Sequence, residues 1–278
     1  MTPLRWLITG ASAGFGRTFA EVLLEKGDRV VATARNPDAV ADLVAKYPDS
    51  AQALRLDVTD PAQVEEAVAA AVAAGPVDVV VNNAGHGLLG ALEELSDADI
   101  REVLEVNLLG ALTVTRAVLP HMRSRRSGHI VQMSSVGGVV GNPGHAIYAT
   151  TKFALEGASE ALAGEVAPFG IRVLIVEPGP FRTEFLGRSM EFATPIPDYQ
   201  EGAAGALRQR FGSGHGMQPG DPVLAVEAIV ATVRAESAPL RLPLGRQAVE
   251  RIRAKLTRQL ADLEAVADLA VSTDRPAE

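Results

Sequence analysis

Leu4-Arg-Trp-Leu-Ile-Thr-Gly-Ala-Ser-Ala-Gly-Phe-Gly-Arg17 is the stretch on which the reading of this chain turns. Its first residues, Leu4 to Thr9, form an apolar run suited to a buried strand. Gly10, Gly14 and Gly16 follow, and a helical pattern runs from about Phe15 to Lys26. A strand that breaks into a glycine-rich turn and then a helix presents main-chain N–H groups and the positive end of a helix dipole to whatever lies above it. That is a site for a pyrophosphate. The spacing is G-x-x-x-G-x-G, so the general dinucleotide fingerprint G-x-G-x-x-G is not met, while its physical logic survives. A plain tight turn would carry the same glycines.

Outward from this unit, apolar runs at Arg29–Ala34, Ala53–Asp57, Val77–Asn82, His129–Ser134 and Arg172–Glu177, with one more near Leu240–Pro243, alternate with helical patterns. The helical stretches are Pro61–Ala74, Asp97–Arg123 and Tyr148–Ala167. Alternation of this kind predicts an α/β fold, a doubly wound parallel sheet of about seven strands with helices on both faces. Near-continuous apolar strands such as Val77-Asp-Val-Val-Val fit burial on both sides. Residues 1–271 read as a single domain. Within it, 185–222 lacks a clear strand and carries Phe185, Leu186, Met190, Phe192, Ile196, Tyr199, Phe211 and Met217, which suits a lid over an apolar pocket. A lid that packs these groups on its own small core fits the pattern equally. Residues 246–271 form a further helix, with Val249, Ile252, Leu256, Leu260, Leu263 and Val266 at three- and four-residue spacing. It is expected to cover the lid, join a subunit interface or pack on the sheet. Residues 272–278 read as a frayed tail.

Bulk properties bound the function. The 278 residues are 47% hydrophobic and 22% charged, enough for a full core, and the net charge of −8 argues against a nucleic-acid surface. With no cysteine there are no disulfides, no thiolate-liganded zinc and no thiol catalysis. No charged leader with an apolar run precedes the first strand, and no eighteen apolar residues run uninterrupted, so a cytoplasmic protein without a membrane partner is expected.

Tyr148 and Lys152, in Tyr-Ala-Thr-Thr-Lys, lie one helical turn apart, and Ser135 lies thirteen residues before the tyrosine. Residues at i and i+4 share a helix face, so an ammonium beside the phenol would lower its pKa and let it exchange protons near neutral pH. By itself the pair is also what an ordinary surface helix carries.

Taken together, Thr9-Gly10-x-x-x-Gly14-x-Gly16, Asn82-Asn83-Ala84-Gly85, Asn107, Ser135, Tyr148-x-x-x-Lys152 and Pro178-Gly179 resemble the short-chain dehydrogenase/reductase family, in its order and spacing, from Leu4 to about Glu184. The resemblance implies a Rossmann-like domain and an oxidoreductase that moves hydride between a nicotinamide cofactor and a carbonyl or alcohol. It implies that Tyr148 gives or takes the proton, that Ser135 hydrogen-bonds the substrate oxygen, and that Lys152 tunes the tyrosine and binds the nicotinamide ribose. Asn107 matches the asparagine that distorts a long helix and holds a water on the path from Lys152 to solvent. Ser134 is the neighbouring candidate for the serine role, but the spacing to Tyr148 points to Ser135. Cofactor contacts are expected from Gly10, Ser12, Gly14, Phe15 and Gly16, from Asp57 and Val58 at the adenine, from Asn83, Ala84 and Gly85, and from Pro178, Gly179 and Thr183 at the nicotinamide. Asp57 reads equally as a turn residue before Pro61.

Cofactor choice is read at the end of the second strand, where an acidic residue would bind the ribose of NAD. Here Ala34 stands at that position and Arg35 follows, which favours NADP(H), with Arg17 a possible second phosphate ligand. Ala13 lacks the basic character common before the second glycine of NADP-preferring relatives, and Arg35 as a solvated loop charge is the plain alternative. His86 and His145 flank the site without an acidic partner at metal-ligand spacing, so partly exposed histidines and no metal are expected. The resemblance also implies a homodimer or homotetramer. Two other functions stay open, a nucleotide-sugar epimerase with retained NAD and a catalytically idle cofactor-binding regulator.

Overall fold

The computed structural model describes residues 2–187, 189–214 and 216–275. Seven parallel strands make one sheet: β1 Arg5–Ile8, β2 Arg29–Ala34, β3 Ala51–Arg55, β4 Val79–Asn82, β6 Gly128–Met133, β7 Ile171–Pro178 and β9 Arg241–Leu244. All were anticipated, shifted only at their ends. The order β3-β2-β1-β4-β6-β7-β9 reverses between β1 and β4, which opens a crevice at the carboxyl ends of those two strands. Side chains alternate across the sheet, so Trp6 and Ile8 enter one core while Leu7 enters the other.

Helices cover both faces. In chain order they are α1 Gly14–Glu25, α2 Ala41–Lys46, α3 Pro61–Ala73, α4 Asp97–Leu104, α5 Ala111–Arg125, α6 Ala146–Val166, α7 Pro197–Gln200, α8 Ala203–Ser213, α9 Pro222–Arg234 and α10 Arg246–Val271. Local chemistry sets their starts: Asp60 accepts from the N–H of Ala62 and Gln63 ahead of Pro61, and Ser96 and Asp99 close a capping box on α4. Between α4 and α5 the helix widens to π geometry over Glu105–Gly110, the distortion expected around Asn107. The joined span Asp97–Arg125 is long and apolar enough to cross a membrane by length and composition. Here its Val114, Val118 and Met122 are fully buried against the sheet.

Two further strands were not anticipated. β5, Gly87–Leu89, and β8, Met190–Phe192, pair in parallel as a small second sheet, so the 185–222 segment does hold a strand. Three residues are too short to show a period, and the partner lies about a hundred residues away, so only tertiary pairing reveals them. Of the expected tail, Ser272, Thr273 and Asp274 continue the turn of α10, and residues 276–278 lie outside the described ones, as do Arg188 and His215 of the lid segment.

Candidate active site

The crevice floor is built by one hydroxyl. Thr9 Oγ1 accepts from the main-chain N–H of Asn83 at 2.9 Å and of Ala84 at 3.0 Å. Asn83 Nδ2 donates to the carbonyls of Thr9 at 2.9 Å and Gly10 at 3.1 Å. The Asn-Asn-Ala-Gly turn thus braces the glycine loop. Gly10 and Gly14 hold φ of +67° and +53°, and a Cβ on Gly16 would lie 2.3 Å from the Gly10 carbonyl oxygen. Only glycine fits at that contact, which leaves main chain bare at the start of α1. A cavity of about 280 Å³ lies between Gly14, Arg17 and Thr18 on this side and Arg182, Thr183 and Glu184 beyond β7. The cradle suits a dinucleotide pyrophosphate by shape and by its helix end. Phe15 packs on Phe181 with ring centres 5.5 Å apart, and Gly179 donates to the Leu244 carbonyl after Pro178 ends β7.

Tyr148 and Lys152, on the first turns of α6, are both buried. Ser135 Oγ and the Tyr148 ring both close on Gly137, and the serine hydroxyl pulls the phenol pKa down. Lys152 Nζ lies 5.7 Å from the centre of the Tyr148 ring and donates to the Met133 carbonyl at 2.8 Å. Burial pushes the phenol up to about 12, against the pull of Ser135. Burial likewise brings Lys152 down to about 8, opposed by the charge of Glu156. The lowered phenol anticipated from helix spacing is therefore not found: desolvation outweighs the pull of Ser135. Ser134 is turned away, its hydroxyl donating to Glu156 Oε1 at 2.6 Å, whereas Ser135 Oγ sits on the Tyr148 side and accepts from the N–H of Gly137.

Asn107 spends its side chain on the main chain of His86, accepting from its N–H at 2.9 Å and donating to its carbonyl at 2.8 Å. This ties the π turn to the end of the Asn-Asn-Ala-Gly segment. A Cβ on Gly85 would lie 2.9 Å from Asn107 Oδ1 and 3.8 Å from Lys152 Nζ, so these groups close on one point.

Several placements correct the sequence reading. His145 is buried rather than partly exposed: its ring stacks on Tyr148 with centres 4.3 Å apart, and Phe211 meets it edge-on at 5.6 Å. Burial brings its pKa down to about 4, and its Nε2 has no hydrogen-bond partner. His86 has acidic neighbours after all, since Glu102 from α4 and Glu191 from β8 bring ligand atoms within 4.8 Å of one another and of the imidazole. Arg17 is not available to a phosphate in this arrangement, because it donates to Glu21 at 2.7 Å and is held by both carboxylate oxygens of Asp42. Arg35 lies exposed just past the end of β2 and makes no ion pair among the described residues. Asp57 Oδ1 accepts from the N–H and hydroxyl of Thr59, the turn role, while Val58 is buried where Gly110 approaches it. Thr183 Oγ1 accepts from the N–H of Phe185.

The lid packs largely on itself. Met190, Leu207, Phe185, Leu186 and Phe211 gather on Leu89, and Phe185 also reaches Tyr148, ring centres 5.7 Å apart. An ionic clasp holds it: Arg208 donates to Glu94 Oε2 and to the Ala193 carbonyl, both at 2.6 Å, and Glu94 also accepts from the N–H of Ile196 at 2.8 Å. Sequence reasoning missed a second cluster as well. Glu156 and Glu177 lie buried together beside Arg241, and burial first, then the neighbouring Glu156 charge, pushes Glu177 up to about 7. The signal was available only for Glu156, which follows Lys152 by one helical turn.

A parallel sheet that reverses above a bare-backbone cradle, with a buried phenol, a lysine and a serine at its carboxyl edge, defines an oxidoreductase of the dinucleotide-binding α/β class. The family model described as short chain dehydrogenase matches residues 5–193. A relative from Botryotinia fuckeliana, Oxidoreductase BOA17, is 40% identical over 247 residues, 88% of this chain and 90% of its own. Human Retinol dehydrogenase 8 is 39% identical over 248 residues, 84% of this chain and 79% of its own. The crystal structure of a short-chain dehydrogenase from Streptomyces avermitilis superposes with a TM-score of 0.92 at 45% identity, covering 98% of this chain and 99% of that one. The chain belongs to the short-chain dehydrogenase family.

Proposed function

We propose that this enzyme interconverts a carbonyl and its alcohol on a small apolar molecule, with NADP(H) as cofactor and Tyr148 as the acid/base. The observation that carries the reading is the buried phenol, with Ser135 and Lys152 beside it, at the mouth of the glycine cradle. The cofactor supplies or takes the hydride. Gly10, Ser12, Gly14, Phe15 and Gly16 would hold its pyrophosphate, Asp57 and Val58 its adenine, and Asn83, Ala84 and Gly85 would line its path. Pro178, Gly179 and Thr183 would hold the nicotinamide end. Arg35, which makes no ion pair among the described residues, would take the 2′-phosphate.

With its pKa about 12, Tyr148 carries its proton at neutral pH and is ready to donate it to a developing alkoxide. Ser135 aims a hydroxyl at the same oxygen. The phenolate left behind is stabilised by the Lys152 ammonium, and proton return runs toward Asn107, whose side chain is already committed to His86 and which sits in the π turn. Phe185, Phe211 and His145 give the pocket apolar walls. A relative named for an apolar alcohol, retinol, supports that substrate class.

The test is a titration with NADPH and NADH followed by a carbonyl panel. NADPH is expected to bind at least about tenfold tighter, a 1.4 kcal/mol difference; NADH preference would overturn the role of Arg35. Tyr148→Phe is expected to bind cofactor normally and lose nearly all turnover, and full turnover would overturn the acid/base assignment. Tightly retained NAD without net cofactor turnover would instead favour the epimerase reading.

A further inference from the structure

The first turns of α10 sit on the body of the protein: Ala248 is fully buried and Arg251 Nη2 donates to Asn142 Oδ1 at 2.5 Å. Beyond Arg253 the helix leaves that support and lies exposed to its end except at the half-buried Lys255 and Ala267. Leu256, Leu260 and Leu263 are 54%, 59% and 58% exposed, and Val271 is 68% exposed. At 100° per residue these four share one face, so the stripe is continuous and unpartnered. A helix that runs several turns through water with an apolar stripe has little to hold it.

The charges say what covers the stripe. From Arg251 to Arg258 there are four cations and no carboxylate; from Gln259 to Val271 there are three carboxylates and no cation. This order opposes the helix dipole, which favours anions at the amino end and cations at the carboxyl end. It is unfavourable for a lone helix and complementary for an antiparallel pair. Arg253 and Glu264 flank one side of the apolar face by the same helical geometry, whereas Lys255 and Asp262 lie well round toward the far side of the helix. The Arg253 and Glu264 pair is centred on the Arg258–Gln259 bond, and Leu256 and Leu260 straddle that centre.

We infer that α10 is a self-association helix, pairing antiparallel with α10 of a second copy of this chain about a two-fold axis near Arg258. In that arrangement Arg253 meets Glu264 of the other copy, twice by symmetry, around an apolar seam. A parallel pair would set the cationic halves against each other. The two copies present identical patches, as an isologous interface requires.

Sedimentation velocity on the full chain tests this. The wild type is expected to be a dimer or a multiple of one at tens of micromolar. R253E is expected to raise the dissociation constant at least about tenfold for this contact, and R253E/E264R to restore it. Because the chain has no cysteine, mixing R253C with E264C under oxidation gives a clean second readout: the mixed disulfide is expected and neither homodimer disulfide. Circular dichroism on each variant confirms that the body is intact. A monomeric wild type, an assembly indifferent to the charge reversal, or a monomer that instead sediments with lipid vesicles would each overturn the inference.

Discussion

Arg208→Met removes the clasp of the lid while leaving its apolar packing. Glu94 is nearly enclosed, its side chain 2% exposed, and Arg208 is 19% exposed. Burial opposes ionisation of Glu94, but the N–H groups of Ile196 and Ala91 and the Arg208 guanidinium together hold its carboxyl below the usual range. Breaking a fully buried pair from one side costs about 3–5 kcal/mol. Here the carboxylate keeps two main-chain donors and the arginine is partly wet, which brings the expected cost to about 2 kcal/mol. That is roughly a thirtyfold change in a local opening equilibrium. Hydrogen exchange reads it directly. Protection should fall about that much at Ile196, Ala193 and Gly87, whose N–H groups bond Glu94, Leu89 and Ser189. Amides of β1 and β4 should not change. Unchanged protection across 189–213, or an equal loss throughout the main sheet, would refute the view that Glu94 and Arg208 fasten the lid. In the wild type the same clasp should loosen below about pH 4.5, because a carboxylate with a depressed folded pKa loses its stabilisation as it is protonated.

Gly16→Ala places a methyl 2.3 Å from the Gly10 carbonyl oxygen and 2.5 Å from Asn83 Nδ2, so nucleotide affinity should drop at least about tenfold and stability by about 2 kcal/mol; unchanged titration and melting curves would count against the cradle. His145 and His129 are both brought down to about 4 by burial, so the unfolded chain takes up protons first, and stability should fall as pH drops from 6.5 toward 4. Denaturant unfolding of His145→Phe should show a shallower acid decline, and an unaltered one would refute its burial as neutral imidazole. Glu177 works in the opposite sense: with its folded pKa raised to about 7, its contribution is present below about 4.5 and is lost as pH rises through 7. Glu177→Gln should therefore make stability rise more steeply between those values, in the same unfolding series.

The main sheet was legible because its strands are apolar runs separated by helical periods, and Val79–Asn82 and Arg29–Ala34 needed only that pattern. The site was legible through spacing: Tyr148 and Lys152 share a face by number alone, and the glycine loop announces a close approach. What spacing cannot carry is depth. The i and i+4 relation put an ammonium near a phenol but said nothing of desolvation, which sets the phenol at about 12. His145 precedes Tyr148 by three residues, yet its stacking depends on Phe211, brought from the lid. β5 and β8 likewise exist only as partners. Helix α10 showed its apolar repeat in sequence, while its lack of a partner within the described residues is a tertiary fact.

The Thr9 hydroxyl, which joins the first strand to the turn after the fourth, has a bearing on how the chain folds. Strands β1 and β4 are neighbours in space but separated by two others and their helices in sequence, so their pairing closes a long loop and is slow to form. The glycine turn is not shaped until that pairing is made. Nucleotide binding in this protein should thus appear only after the central crossover is complete, which makes fluorescence of a bound reduced nicotinamide nucleotide a stopwatch for that step of refolding.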